Sequence, residues 1–124
     1  MQKNDLMRLH HMLDAVKEAV SFAQNKTRID LNTDRKLALA LVKSIEIMGE
    51  AAAKVTKECR DELPQIPWLS IIGMRNRLIH AYFDINLDIL WKTVTEDLPP
   101  LIAELQKTVL PHDKLREGDV TARP

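Results

Sequence analysis

Sulfur chemistry is nearly absent from this chain. Its 124 residues include one cysteine, Cys59, so no disulfide can form within the chain and the fold does not depend on an oxidising compartment. Excess charge of either sign is missing too. The 18 Lys and Arg balance 18 Asp and Glu, which excludes a globally basic nucleic-acid binder but leaves room for a local basic patch. Long apolar runs are lacking: stretches such as Leu37–Val42 fall far short of the about 18 residues that cross a bilayer. The opening Met1-Gln2-Lys3-Asn4-Asp5 leads straight into an amphipathic segment, without the apolar run and cleavage site of a signal peptide. These absences set the expectation of a cytoplasmic protein with no membrane partner. Glycine occurs only three times and β-branched alternation is absent, so the periodicities to look for are helical. What is present is ordinary for one globular domain, with 45% hydrophobic and 29% charged residues.

Apolar residues recur every three or four positions. Leu6, Leu9, Leu13, Val16, Val20 and Ala23 mark one face of a first helix ending near Asn25. A polar connection follows from Asn25 to Asp30, with Thr33 as the expected N-cap and Asp34 in the first turn of a second helix. That helix carries Leu37, Leu41, Ile45, Met48, Ala52 and Val55. Gly49 lies inside it at a cost of about 1 kcal/mol relative to Ala, which reads as close approach of another helix rather than a break. Leu63-Pro64-Gln65-Ile66-Pro67 must leave the helix, because residues before proline avoid the α region. Pro67 suits the first turn of a third helix bearing Trp68, Leu69, Ile72, Met74 and Leu78. Asp84-Ile85-Asn86 carries capping chemistry for a fourth helix, Leu87 to about Leu98. Pro99 and Pro100 kink or restart it, Leu101, Leu105 and Val109 continue the stripe, and Pro111 stops the run. The expected fold is all-α, an antiparallel up-and-down bundle of four to five helices over 1–110, with 111–124 as a flexible tail.

The densest polar cluster on an otherwise apolar segment is Met74-Arg75-Asn76-Arg77-Leu78-Ile79-His80-Ala81-Tyr82, placed where the third helix must end. At about 100° per residue Asn76 and His80 share a face, whereas Arg75 and His80 lie roughly 140° apart on a continuous helix. The pair converges either if His80 sits at a frayed helix end or if two copies meet across a two-fold axis. Such a pocket suits metal-free cleavage of an RNA phosphodiester. An imidazole titrates near neutrality and can take the proton of a 2′-hydroxyl or protonate the leaving 5′-oxygen. A guanidinium binds phosphate bidentately and stabilises the charge gained in the transition state. The Asn76 amide can orient either group or contact phosphate. Arg and His near a helix C-terminus are equally at home as plain partners of the helix dipole.

The spacing Arg75, four residues, His80, one residue, Tyr82 resembles the motif of HepT-like toxins in the HEPN superfamily. Ile47-Met48-Gly49-Glu50-Ala51-Ala52 resembles the second-helix signature of that family. Ile66-Pro67-Trp68 with Gly73, and Trp91 with Asp97-Leu98-Pro99, resemble the approach to the motif and the fourth helix. The likeness spans Leu6 to Val109. It implies a homodimeric all-α bundle acting as a metal-independent endoribonuclease, the toxin of a type VII-like toxin–antitoxin system, with no cofactor and no metal. Carried over position by position, Arg75 and His80 are catalytic and Asn76 supports them. The implied partners are an RNA substrate, not DNA, and a nucleotidyltransferase antitoxin of the MNT type, alone or in a higher hetero-oligomer. That partner would neutralise the toxin by AMPylation of Tyr82. The alternative is a catalytically inactive HEPN module that binds a nucleotidyltransferase.

Other residues admit plainer roles. Glu46 and Glu50 can face the cleft and hold Arg75, with Glu50 the candidate orienting carboxylate, or can pair at the surface with Lys43 or Lys54. Arg77 can extend an RNA-binding surface, stay solvated or pair near Asp84. His10 and His11 lack further ligands at metal spacing and read as a helix-surface pair. Cys59, between Lys57 and Arg60, reads as structural. Trp68 and Trp91 belong to the core or to a dimer interface. No glycine-rich phosphate loop is present, so the chain shows no ATP site of its own.

Overall fold

The chain folds, in the computed structural model, as an all-α bundle described for residues 1–80 and 84–121, with side chains through residue 113. Helix α1 (Lys3–Ala23) buries Leu9, Met12, Leu13, Val16 and Ala19. It ends where Asn25 adopts φ 62°, a left-handed conformation that asparagine tolerates better than most residues. The polar connection contains one helical turn, α2 (Asp30–Thr33), which the apolar spacing does not announce. Thr33 therefore closes α2, and the cap of α3 (Arg35–Lys54) is Asp34 instead: its carboxylate accepts from the Leu37 N–H at 3.0 Å. A second short helix, α4 (Lys57–Glu62), starts at Thr56, whose hydroxyl accepts from the Cys59 N–H at 3.2 Å.

Helix α5 (Trp68–Leu78) turns Trp68, Ile71, Met74 and Leu78 inward, and the Trp68 indole N–H donates to the Leu63 carbonyl at 3.0 Å. Leu69 points the other way and is 84% exposed. Asn86 caps α6 (Leu87–Lys92) by accepting from the Ile89 N–H at 3.0 Å. Thr93–Asp97 then widens into a π-helical segment before α7 (Leu98–Thr121) begins. Pro99 and Pro100 supply no N–H to the preceding turn, and the wider winding is how the helix accommodates them. Pro111 does not stop α7. The carbonyl it leaves without a donor, four residues back at Lys107, lies at an exposed position where water can satisfy it. Beyond this proline Asp113 still reaches α1, its carboxylate 2.9 Å from His10 Nε2.

The core is one cluster, built by α1 packing on α3 and α7 and by α3 packing on α5. Leu41, Ile45 and Met48 from α3 meet Ile71 and Leu78 from α5 and Leu98 and Leu105 from the last helix within it. No helix among the described residues is long and apolar enough to cross a membrane.

One buried polar junction fixes the start of α1 to the start of α4. Asp5, 2% exposed, accepts from both the backbone N–H of Thr56 at 2.9 Å and its hydroxyl at 2.7 Å. Removing the carboxylate strands both donors, and an unsatisfied buried donor costs about 1–3 kcal/mol. Asp5→Ala is therefore expected to lower the unfolding free energy in urea by that amount, and Asp5→Asn by less, because an acceptor oxygen survives. Cys59 lies against this junction; burial, followed by the charges of Asp5 and Glu62, pushes its thiol up from the ordinary cysteine value. That agrees with its reading as a structural, unreactive residue.

Candidate active site

A groove opens where α3 and α5 cross, and the backbone of α5 passes close to Gly49. A methyl group built on Gly49 would lie 3.4 Å from the Ile71 carbonyl oxygen and 3.7 Å from that of Ile72. The glycine in mid-helix thus marks close approach of a neighbouring backbone, as its cost in helix propensity suggested. The groove encloses about 460 Å³. Ile45, Gly49, Ala53 and Ile72 give it apolar walls, while Glu46, Glu50, Arg75 and Asn76 bring polar groups to it.

Arg75 is held across the groove. Its Nε donates to Glu46 Oε2 at 2.7 Å, joining α5 to α3, and Lys43 Nζ lies 3.3 Å from the other carboxylate oxygen. The hydrogen bond from Arg75, and next that from Lys43, lower the Glu46 carboxyl below its ordinary value against the opposing effect of burial. A depressed carboxylate is ionised throughout the neutral range and gives up its charge only as pH falls. Of the two glutamates that the spacing offered to Arg75, Glu46 makes the contact, and Glu50 lines the same groove one turn further along. The signal for Glu46 was legible: it lies three residues after Lys43 and four before Glu50, on the side of α3 that turns to α5.

His80 lies beyond the helix. Helix α5 ends at Leu78, and Ile79 takes an extended conformation, φ −115°, ψ 123°. Ile79 and Ile85 form an isolated antiparallel bridge. The His80 N–H donates to the Asp84 carbonyl at 2.8 Å and the Asn86 N–H to the Leu78 carbonyl at 2.7 Å. The 140° separation expected on a continuous helix therefore does not apply, since His80 follows extended Ile79 past the helix end. His80 is exposed and is not among the residues lining the groove, so one chain brings together Arg75, Asn76, Glu46 and Glu50 but leaves His80 on the adjoining loop. Tyr82 lies outside the described residues. Arg77 folds back along α5, its Nη2 3.1 Å from the Ser70 carbonyl and 3.2 Å from the Ser70 hydroxyl, rather than pairing near Asp84. His10 engages Asp113, and neither lines the groove.

With this geometry in view, the comparisons with known proteins agree on one family. The family described as ribonuclease HepT-like matches residues 12–108. Over 99 residues the chain is 36% identical to a protein of Thermococcus cleftensis named Probable ribonuclease HepT, covering 77% of this chain and 90% of that one. It is 31% identical over 107 residues to a protein of Methanocaldococcus jannaschii, covering 86% of this chain and 98% of the relative. It is 35% identical over 106 residues to one of Caldanaerobacter subterraneus, covering 86% and 94%. The names of these two assign them provisionally as RNases. No solved structure matches the chain.

Proposed function

The chain belongs to the HepT-like ribonuclease family of the HEPN superfamily, and we propose that it is a metal-independent endoribonuclease, the toxin of a nucleotidyltransferase-paired toxin–antitoxin system. The observation that carries this reading is Arg75, anchored through Nε at 2.7 Å on the edge of an α3–α5 groove. Neither terminal nitrogen of Arg75 has a hydrogen-bond partner among the described residues, so a phosphate can take both. In the reaction the 2′-oxygen loses its proton and attacks phosphorus, and the 5′-oxygen departs and is protonated. His80 exchanges one of these protons while Arg75 balances charge on the non-bridging oxygens. Asn76 orients the phosphate from the same groove. The products are a 2′,3′-cyclic phosphate and a 5′-hydroxyl.

A second copy of the chain completes the site in this reading. Leu69, Ile72, Gly73 and Asn76 stand at positions i, i+3, i+4 and i+7, so they share one stripe of α5. Leu69 is 84% exposed beside the groove, and Ile47, on the turn of α3 between Glu46 and Glu50, is 41% exposed. Covering a large apolar side chain contributes about 1.5–3 kcal/mol, and two motifs facing one another would supply both an acid and a base. Transfer of AMP to Tyr82 by the partner enzyme would add bulk and a phosphodiester charge to the motif, which would compete with RNA for the guanidinium.

Two measurements test this reading. RNA cut by the purified chain in EDTA is expected to yield fragments ending in 2′,3′-cyclic phosphate; cleavage that needs added divalent metal, or that leaves 3′-hydroxyl ends, contradicts it. Incubation with the cognate nucleotidyltransferase and ATP is expected to add AMP to Tyr82 and abolish cleavage. A chain that never cuts RNA although Tyr82 has its unmodified mass favours a module that only binds the nucleotidyltransferase.

A further inference from the structure

We infer that Glu46 is a positioning residue for Arg75, clamping the guanidinium through Nε so that its two terminal nitrogens stay free to receive a phosphate. What Arg75 receives rests on the ribonuclease reading above, but the clamp rests on geometry alone. The bond spans two helices, α3 and α5, at 2.7 Å, between side chains 25% and 37% exposed. Lys43 fixes the other oxygen of the same carboxylate from one turn earlier on α3. The anchor is therefore held from two sides, and the long arginine side chain is limited to one approach to the groove. An arginine anchored in this way loses less freedom on binding phosphate than one swinging in solvent.

The electrostatics make the inference testable by sign. A carboxylate beside a phosphate site repels RNA, so if Glu46 were an ordinary surface partner its removal would tighten RNA binding and leave the chemical step alone. As a clamp, its removal releases Arg75, and misplacing a reacting group by about 1 Å costs on the order of 10²-fold in rate. The experiment compares the full chain with Glu46→Ala and Glu46→Gln on a single-stranded fluorogenic RNA. The Arg75 Nε–H resonance is followed by ¹H–¹⁵N NMR, assigned by its absence from Arg75→Lys. Glu46→Ala is expected to lose about 10²-fold in kcat with KM unchanged or lower, and its Nε–H signal is expected to average out. Glu46→Gln keeps an oxygen for Nε and is expected to keep an ordered signal and most of kcat. An unchanged kcat in Glu46→Ala overturns the inference, as does an Nε–H already averaged in the native chain. An ordered Nε–H in a native chain that leaves RNA intact upholds the clamp and removes the ribonuclease reading instead.

Discussion

His80→Ala is expected to slow RNA cleavage by about 10²–10⁴-fold, the range that a positioned general acid or base supplies. The loss should fall on the chemical step and spare the fold. His80 is exposed, and its backbone N–H donates to the Asp84 carbonyl at 2.8 Å. Alanine keeps that N–H, so the hydrogen bond to Asp84 and the Ile79–Ile85 bridge stay in place and the melting temperature is expected to hold. His80→Gln retains polarity and length but cannot titrate near neutrality, and is expected to be as slow as the alanine variant. Full activity in His80→Gln would move proton transfer to another group. Initial rates on one RNA, with thermal melts of the same preparations, separate these cases.

Arg75→Ala is expected to cost about 10²–10³-fold in kcat, the scale seen when one preorganised donor to a transition-state charge is removed. The informative comparison is Arg75→Lys. Lysine restores one positive charge but has no Nε–H in a planar fork, so it cannot rest on Glu46 and still offer two parallel donors to phosphate. It is expected to recover RNA affinity while kcat stays close to that of the alanine variant. Salt titration provides the check. Losing one phosphate contact to single-stranded RNA lowers the slope of log K against log salt by about 0.7, and lysine is expected to return it. A fully active Arg75→Lys would mean that charge alone, and not the anchored fork, does the work.

Most of the fold could be read from apolar spacing, because stripes such as Leu37, Leu41, Ile45 and Met48 bury one face of a long helix. The two short helices escaped that reading. Asp30–Thr33 and Lys57–Glu62 bury one residue each, Leu31 and Cys59, which is too little to set a period. Their signals are caps, and Thr56 shows why caps are hard to read alone: its hydroxyl serves Cys59 locally but also donates to Asp5, 51 positions away. Pro111 misled for a related reason. A proline breaks a helix where the freed carbonyl is buried, and exposure at Lys107 is a tertiary fact. In the candidate site, the spacing brought Arg75 and Asn76 to one groove and Glu46 and Glu50 opposite them. Which glutamate meets Arg75 depends on how α3 and α5 cross, a tertiary fact that spacing along α3 does not carry. Helical geometry set Arg75 and His80 far apart on a continuous helix and offered a helix end before His80 as one alternative; α5 does end at Leu78, with His80 beyond it, but His80 is not among the residues lining the groove.

The most direct test of the central claim is a single gel of total RNA incubated in EDTA with the purified native chain or with its His80→Ala variant, Tyr82 confirmed unmodified by mass. Fragments from the native chain and intact RNA from the variant are the predicted result. Intact RNA in both lanes, or equal fragmentation in both, would contradict a metal-free ribonuclease acting through His80.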